Sequence, residues 1–114
     1  MDGRWLTPAD GKYLETVNPA TGERLAEFAH GSAADVDAAV KAAQAAFPAW
    51  SELPGFVRGN FLFAIGRAIL KHERDFSVLE AMDNGKTFRE AKTADVPLAA
   101  RHFLYHAGWA ARLG

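Results

Sequence analysis

The chain has 114 residues, 49% of them hydrophobic, and its 13 basic and 14 acidic side chains leave a formal charge of −1. This length allows one small folded domain or a piece of a larger one. The balanced charge provides no basic surface of the kind that binds nucleic acid. The absence of cysteine excludes disulfides, thiolate zinc sites and cysteine nucleophiles within these residues. No secretory signal or membrane-spanning stretch is visible, so we expect a cytoplasmic protein with no membrane partner.

Residues 1–30 are predicted to form short strands. Segments 13–17 and 24–29 alternate approximately between apolar and polar side chains, and a proline and a glycine lie between them. This pattern predicts a β-hairpin. Trp5 and the Asp10-Gly11 pair indicate a further short strand and turn before it.

The first two predicted helices cover residues 32–50 and 54–83. Ser32 and Asp35 have the spacing of a capping box, and Pro48 predicts the end of the first helix. In the second, polar residues 72–75 indicate a break or an exposed bend. Gly59 and Gly66 lie about two turns apart on one side of that helix, which indicates that another helix approaches closely.

A third helix is predicted over residues 88–112. Gly85 ends the preceding helix because glycine tolerates the left-handed conformation, and Thr87 and Glu90 form a capping box for the next one. Pro97 must kink this helix or restart it, with Asp95 as the N-cap of the restart. The segment is therefore predicted to be mostly α-helical, with a short N-terminal β-hairpin.

Two patterns weakly suggest chemistry. Gly85-Lys86-Thr87 has the ending of a phosphate-binding loop, but Glu80 stands where that motif needs a glycine, and a helix precedes it. His102 and His106 are spaced to share a metal ion on a helix, yet no third ligand is evident. No glycine-rich dinucleotide motif follows a strand. A small independent enzyme is therefore disfavoured.

Three phrases in order carry a family resemblance: TVNPATGE at residues 16–23, MDNGKT at 82–87 and HAGWA at 106–110. With predicted helices between them, they resemble the N-terminal segment of the aldehyde dehydrogenase superfamily, from about residue 13 to the end. The sequence DVPLAARHF at 95–103 looks closest to the family-16 branch. The resemblance implies an α/β parent fold, in which residues 1–114 form a single N-terminal segment of the cofactor-binding domain.

The resemblance also implies a function for the parent protein, the oxidation of an aldehyde to a carboxylic acid with NAD or NADP. A cysteine thiolate attacks the carbonyl, a glutamate activates water, and an asparagine and a backbone N–H stabilise the oxyanion. In the family these groups and the dinucleotide loop lie downstream of this segment. We therefore assign no catalytic or cofactor-binding residue here and expect the isolated chain to be inactive. Its implied partners are the remainder of the dehydrogenase chain and other copies in a homo-oligomer.

Two further roles come from the resemblance. Several family members hold a monovalent cation partly through backbone carbonyls, which correspond here to Thr16, Asp83 and Val17. The simpler alternative for Asp83 is that its carboxylate stabilises its own turn by accepting hydrogen bonds from nearby amides. Leu98 aligns with a position that lines the substrate entrance; alternatively, it is a core residue on an apolar stripe.

Other functional readings stay open at this point. The chain could be a self-standing helical interaction module without catalysis. It could also be part of a pseudoenzyme, because the family-16 branch joins a second dehydrogenase-like region to the first.

Overall fold

The structure is a computed structural model and describes residues 1–113. Two compact units divide the chain: the first contains Met1–Val17 and Glu23–Glu52, and the second contains Asn18–Gly22 and the chain from Leu53 onward. The elements are, in chain order, β1 Tyr13–Val17, β2 Arg24–Ala29, α1 Ala33–Ser51, α2 Gly55–Lys71, α3 Glu73–Asn84, α4 Phe88–Glu90, a π-helical turn Ala91–Asp95, and α5 Val96–Ala110. The prediction of a mostly helical segment with an N-terminal hairpin is confirmed.

In the first unit, β1 and β2 form an antiparallel pair. Tyr13 pairs with Ala29, and the register becomes irregular between Thr16 and Val17. The alternation of apolar and polar side chains is that of a strand with one face available for packing. The predicted hairpin is therefore present.

The additional strand predicted near Trp5 is wrong, because residues 1–12 contain no strand. Asp2 and Gly3 have positive φ angles of 51° and 67°, which break an extended run before Trp5. The Trp5 side chain is fully exposed. The turn predicted with that strand is present, since the Gly11 N–H donates to the Pro8 carbonyl at 3.0 Å.

The N-terminus of α1 carries the predicted capping box. The Asp35 N–H donates to Ser32 Oγ at 3.4 Å, and the Ser32 N–H donates to Asp35 Oδ2 at 2.9 Å. The Ala9 N–H also donates to this carboxylate, at 3.0 Å. Hydrogen bonds hold the pKa of Asp35 below its ordinary value. The largest contribution comes from the Ser32 hydroxyl, followed by the Ser32 and Ala9 amides. One aspartate thus satisfies donors at the helix start and in the N-terminal segment before β1.

Pro48 does not end α1, contrary to the sequence prediction, because the helix continues to Ser51. A proline near the C-terminal end costs one intrahelical hydrogen bond without preventing the last turn from closing. The Pro48 carbonyl closes that turn by accepting from the Glu52 N–H at 3.2 Å and from Ser51 Oγ at 2.9 Å.

In the second unit, α2 packs against α5 through small residues. Gly59 and Gly66 of α2 are buried, as are Ala100 and Ala107 of α5. A Cβ atom on Gly59 would lie 2.7 Å from the Ala107 carbonyl oxygen, closer than van der Waals contact allows. The two backbones therefore approach each other closely, as the spacing of the glycines predicts.

The break predicted near residues 72–75 is confined to one residue. α2 ends at Lys71 and α3 begins at Glu73, and His72 between them has φ −107° and ψ 21°. The Ser77 side chain of α3 is fully buried, and its hydroxyl donates to the Glu73 carbonyl at 2.6 Å. Since this bond lies within α3, the buried hydroxyl needs no partner from another element.

Candidate functional site

The turn after α3 is the centre of the candidate site. Gly85 has φ +82° and donates its N–H to the Ala81 carbonyl at 3.0 Å, so the predicted helix end is confirmed. A Cβ atom on Gly85 would also lie 2.7 Å from Pro19 Cγ, in the Asn18–Gly22 turn of the same unit. Glycine is therefore required both by the left-handed backbone and by the close approach of Pro19.

Lys86 links this turn to its neighbours. Its Nζ lies 2.7 Å from Asp95 Oδ2 and 3.5 Å from Glu80 Oε1. The hydrogen bond to Asp95 is the main cause that raises the pKa of Lys86. Because its ammonium is paired with carboxylates and its loop follows a helix, the geometry argues against a phosphate-binding loop.

The helix after Thr87 begins with the second predicted capping box. Glu90 donates its N–H to Thr87 Oγ1 at 3.3 Å, and the Thr87 N–H donates to Glu90 Oε2 at 3.4 Å. The capping box is confirmed by this reciprocal pair of bonds.

Asp95 is not a side-chain N-cap, contrary to the prediction from the sequence. Its backbone is already helical, with φ −66° and ψ −57°, and its carboxylate accepts from Lys86 instead. The helix passes Pro97 through a π-helical turn, in which the Val96 N–H donates to the Ala91 carbonyl. A proline ring crowds the carbonyl four residues earlier, here that of Thr93, and a wider turn relieves this crowding. From the sequence, Pro97 thus predicted that the helix is distorted, but not that the distortion is a π-helical turn.

Leu98 lies in the first turn of α5 and is 49% exposed. Its neighbours on the helix, Val96 and Ala100, are buried. The Leu98 side chain is therefore not buried in a core formed by this chain. Its role at a substrate entrance stays a prediction.

The three residues of the predicted cation site are divided between the units. Thr16 and Val17 are the last two residues of β1 in the first unit, and Asp83 is the next-to-last residue of α3 in the second. The ladder irregularity falls between Thr16 and Val17. Their joint use as cation ligands stays a prediction.

Neither histidine of the weak metal pattern belongs to a larger ligand cluster. His102 and His106 are exposed on α5, and the His106 ring meets Tyr105 edge-on at 5.3 Å between centroids. Residues 1–113 contain no group of three or more His, Cys, Asp or Glu side chains placed to hold a metal ion. Within the same residues, no helix combines the length and apolar character needed to cross a bilayer.

Comparison with known proteins decides the family. The model of the aldehyde dehydrogenase family matches residues 5–114. The chain belongs to the aldehyde dehydrogenase family. The fluoroacetaldehyde dehydrogenase of Streptantibioticus cattleyicolor is 45% identical over 108 residues, which are 95% of this chain and 21% of that protein. The mitochondrial aldehyde dehydrogenase family 2 member B4 of Arabidopsis thaliana is 37% identical over 115 residues, 99% of this chain and 21% of that protein.

Solved aldehyde dehydrogenase structures share the fold of the segment. The NAD⁺ complex of the Bacillus cereus enzyme matches with a TM-score of 0.96 and 34% identity, covering 100% of this chain and 24% of that one. A putative aldehyde dehydrogenase from Burkholderia cenocepacia also matches at 0.96, with 38% identity, covering 99% and 23%. The predicted aldehyde dehydrogenase-like fold is confirmed. This chain spans about a fifth of the length of its aldehyde dehydrogenase relatives.

Proposed function

We propose that this chain is the N-terminal part of an NAD(P)-dependent aldehyde dehydrogenase that oxidises an aldehyde to a carboxylic acid, and that its own role is structural. The family match over residues 5–114 carries the proposal. The name of the fluoroacetaldehyde relative and the NAD⁺ complex of the Bacillus cereus enzyme support the reaction and the cofactor. The finer placement in the family-16 branch is a hypothesis that only the residues at 95–103 support.

The residues of this chain do not fit the dinucleotide or the nucleophile. The chain has no cysteine, and its Gly85-Lys86-Thr87 turn follows a helix, with Lys86 engaged by Asp95. We therefore propose that cofactor binding and chemistry belong to the rest of the parent. The second unit contributes a rigid pair of closely packed helices, α2 and α5, on which other parts of the parent can be positioned.

The direct test is to express the native gene in full and, separately, residues 1–114. We expect the full-length protein to reduce NAD or NADP in the presence of small aldehydes and the 114-residue chain to give no turnover above buffer. Turnover by the short chain would contradict our placement of the chemistry. An inactive full-length protein without a cysteine nucleophile would support the pseudoenzyme alternative instead.

We also propose that the backbone carbonyls of Thr16, Val17 and Asp83 contribute to a monovalent cation site in the parent. Carbonyl oxygens suit a hard cation. We expect the melting temperature of the full-length enzyme to rise saturably with sodium or potassium, because an ion that binds only the native state stabilises it by mass action. Choline chloride at equal ionic strength is the control, and an equal response to both salts would contradict the site.

We also propose that Leu98 lines the substrate entrance of the parent; its half-exposed side chain supports this role. We expect Leu98→Phe to raise KM for bulky aldehydes by about tenfold, the scale of one or two misfitted methylenes, with less change for acetaldehyde. Leu79→Phe is the matched control, because Leu79 is 62% exposed on α3, away from Leu98 in sequence. The same KM change in both variants would count against a specific role for Leu98.

Cytoplasmic location and homo-oligomeric assembly of the parent complete the proposal. Family resemblance is their support. Cell fractionation and sedimentation of the full-length protein test them, and a monomer in solution would remove the oligomer from the proposal.

A further inference from the structure

His30 lies directly after β2, beside the N-terminal segment of the first unit. Its backbone N–H donates to the Lys12 carbonyl at 2.9 Å. Within residues 1–113, its Nδ1 atom is shielded from solvent and has no hydrogen-bond partner, although 44% of the side chain is exposed. A buried polar atom without a partner costs free energy, so the groups around this ring decide what it can do.

The Nδ1 atom of His30 faces a carboxylate that is already held in place. It lies 3.9 Å from Asp10 Oδ2. Asp10 accepts the Lys12 N–H at 3.0 Å, and its Oδ2 lies 3.3 Å from Lys12 Nζ. The Lys12 amide is the main cause that lowers the pKa of Asp10. At 3.9 Å the two side chains are just beyond hydrogen-bond distance, and a small rotation of the imidazole closes the gap.

A second carboxylate near His30 belongs to the start of α1. The Ser32 hydroxyl is the main cause that lowers the pKa of Asp35, and the charge of protonated His30 contributes to the same lowering. The Asp35 carboxylate also accepts the Ala9 N–H at 3.0 Å, so it already connects α1 to the N-terminal segment. His30 therefore lies near the carboxylates of both partners in this contact.

The charged groups around His30 favour a positive imidazole. Two carboxylates and one ammonium surround the ring, which leaves a net negative charge. On the adjoining strand β2, Arg24 pairs with Glu27 at 2.7 Å and with Glu15 of β1 at 2.9 Å. The charges of the hairpin are thus paired with one another.

We propose that His30 forms a pH-sensitive ion pair with Asp10, which holds the N-terminal segment, residues 1–12, on the start of α1 when the imidazole is protonated. Histidine is the side chain that changes its charge between about pH 5 and 8. A charge-assisted hydrogen bond is about twice as strong as a neutral one, so neutral His30 holds Asp10 less firmly in either tautomer. The contribution of the pair is therefore present at low pH and is lost as the pH rises through the titration range of histidine.

This inference does not depend on the proposed function, because every group in it belongs to the first unit. The two carboxylates keep their charge over the same range, since both have lowered pKa values. A single proton on His30 is then the variable that decides how firmly the N-terminal segment is held.

The test is hydrogen exchange of the full-length protein, measured by mass spectrometry at pH 5.5 and 7.5 and corrected for the intrinsic rate. In the peptide that spans residues 4–14, which contains the Ala9 and Lys12 amides, we expect about two- to fivefold greater protection at pH 5.5, the range typical of partly exposed ion pairs. His30→Gln should remove this pH dependence. Its matched control is His72→Gln, because His72 Nδ1 lies 3.7 Å from Asp75 Oδ2 within one helix start and connects no distant segments.

Asp10→Asn keeps the test conclusive if the His30 variant does not fold, since it removes the charge and retains an acceptor for the Lys12 amide. We expect it to reduce the pH dependence as His30→Gln does. Equal protection of the wild-type peptide at both pH values would overturn the proposal, as would full pH dependence in His30→Gln. Loss of the effect in His30→Gln but not in Asp10→Asn would overturn the pairing with Asp10.

Discussion

Replacing Gly59 by alanine is expected to destabilise the 114-residue chain, whereas replacing Gly108 by alanine is expected to stabilise it. Both glycines are inside helices, where alanine gains about 1 kcal/mol in helix propensity. A methyl group at Gly59 meets the Ala107 carbonyl oxygen at 2.7 Å, and a backbone atom cannot move aside alone. At Gly108 nothing lies within 4 Å.

The net signs follow from these magnitudes. Overpacking costs about 1–3 kcal/mol, which equals or exceeds the propensity gain at Gly59, so we expect a net loss of up to about 2 kcal/mol. Gly108→Ala keeps most of its gain, about 0.5–1 kcal/mol. Urea unfolding of the two variants and the wild type measures both free energies. If the two substitutions stabilise equally, α2 and α5 do not approach as closely as the structure shows.

The second large effect concerns the 114-residue chain by itself. We expect it to bind a hydrophobic dye strongly and to associate in solution, while the full-length protein does neither to the same extent. The reason is the amount of apolar surface left accessible: α1 buries none of its residues, and Val36 and Phe47 on it are 58% and 64% exposed. Contiguous apolar surface of this kind marks an interface.

Dye fluorescence and analytical ultracentrifugation of both proteins at matched concentration provide the comparison. A compact monomer that melts cooperatively and does not increase the fluorescence of the dye would contradict the prediction. That result would instead favour the self-standing helical module, since such a module must satisfy its apolar faces within its own residues.

Local patterns predicted those parts of the fold that depend on neighbouring residues. The two capping boxes and the stop at Gly85 each depend on hydrogen bonds or φ angles within a few positions, so their sequences were sufficient. The prediction at Pro48 was wrong for a local reason, because the last turn of α1 still closes after the proline. The prediction at Asp95 was wrong because its carboxylate accepts from Lys86, nine positions away. Propensity rules do not include such competing partners.

The candidate site was less accessible to pattern reasoning than the fold. Thr16, Val17 and Asp83 were proposed through backbone carbonyls, which every residue possesses, so no side-chain pattern identifies them. Leu98 is one leucine among many apolar residues on helices. Only the family resemblance singled out these positions. The resemblance did not predict the π-helical turn before α5, which follows from the geometry around Pro97.

The contact between Pro19 and Gly85 has a consequence for synthesis on the ribosome. The two residues are 66 positions apart, yet both belong to the second unit. At about 5–20 residues per second, the Pro19 turn is synthesised roughly 3–13 s before its glycine partner. During that interval the nascent N-terminal turn has no docking surface, so this contact can form only after nearly three-quarters of the segment has been translated.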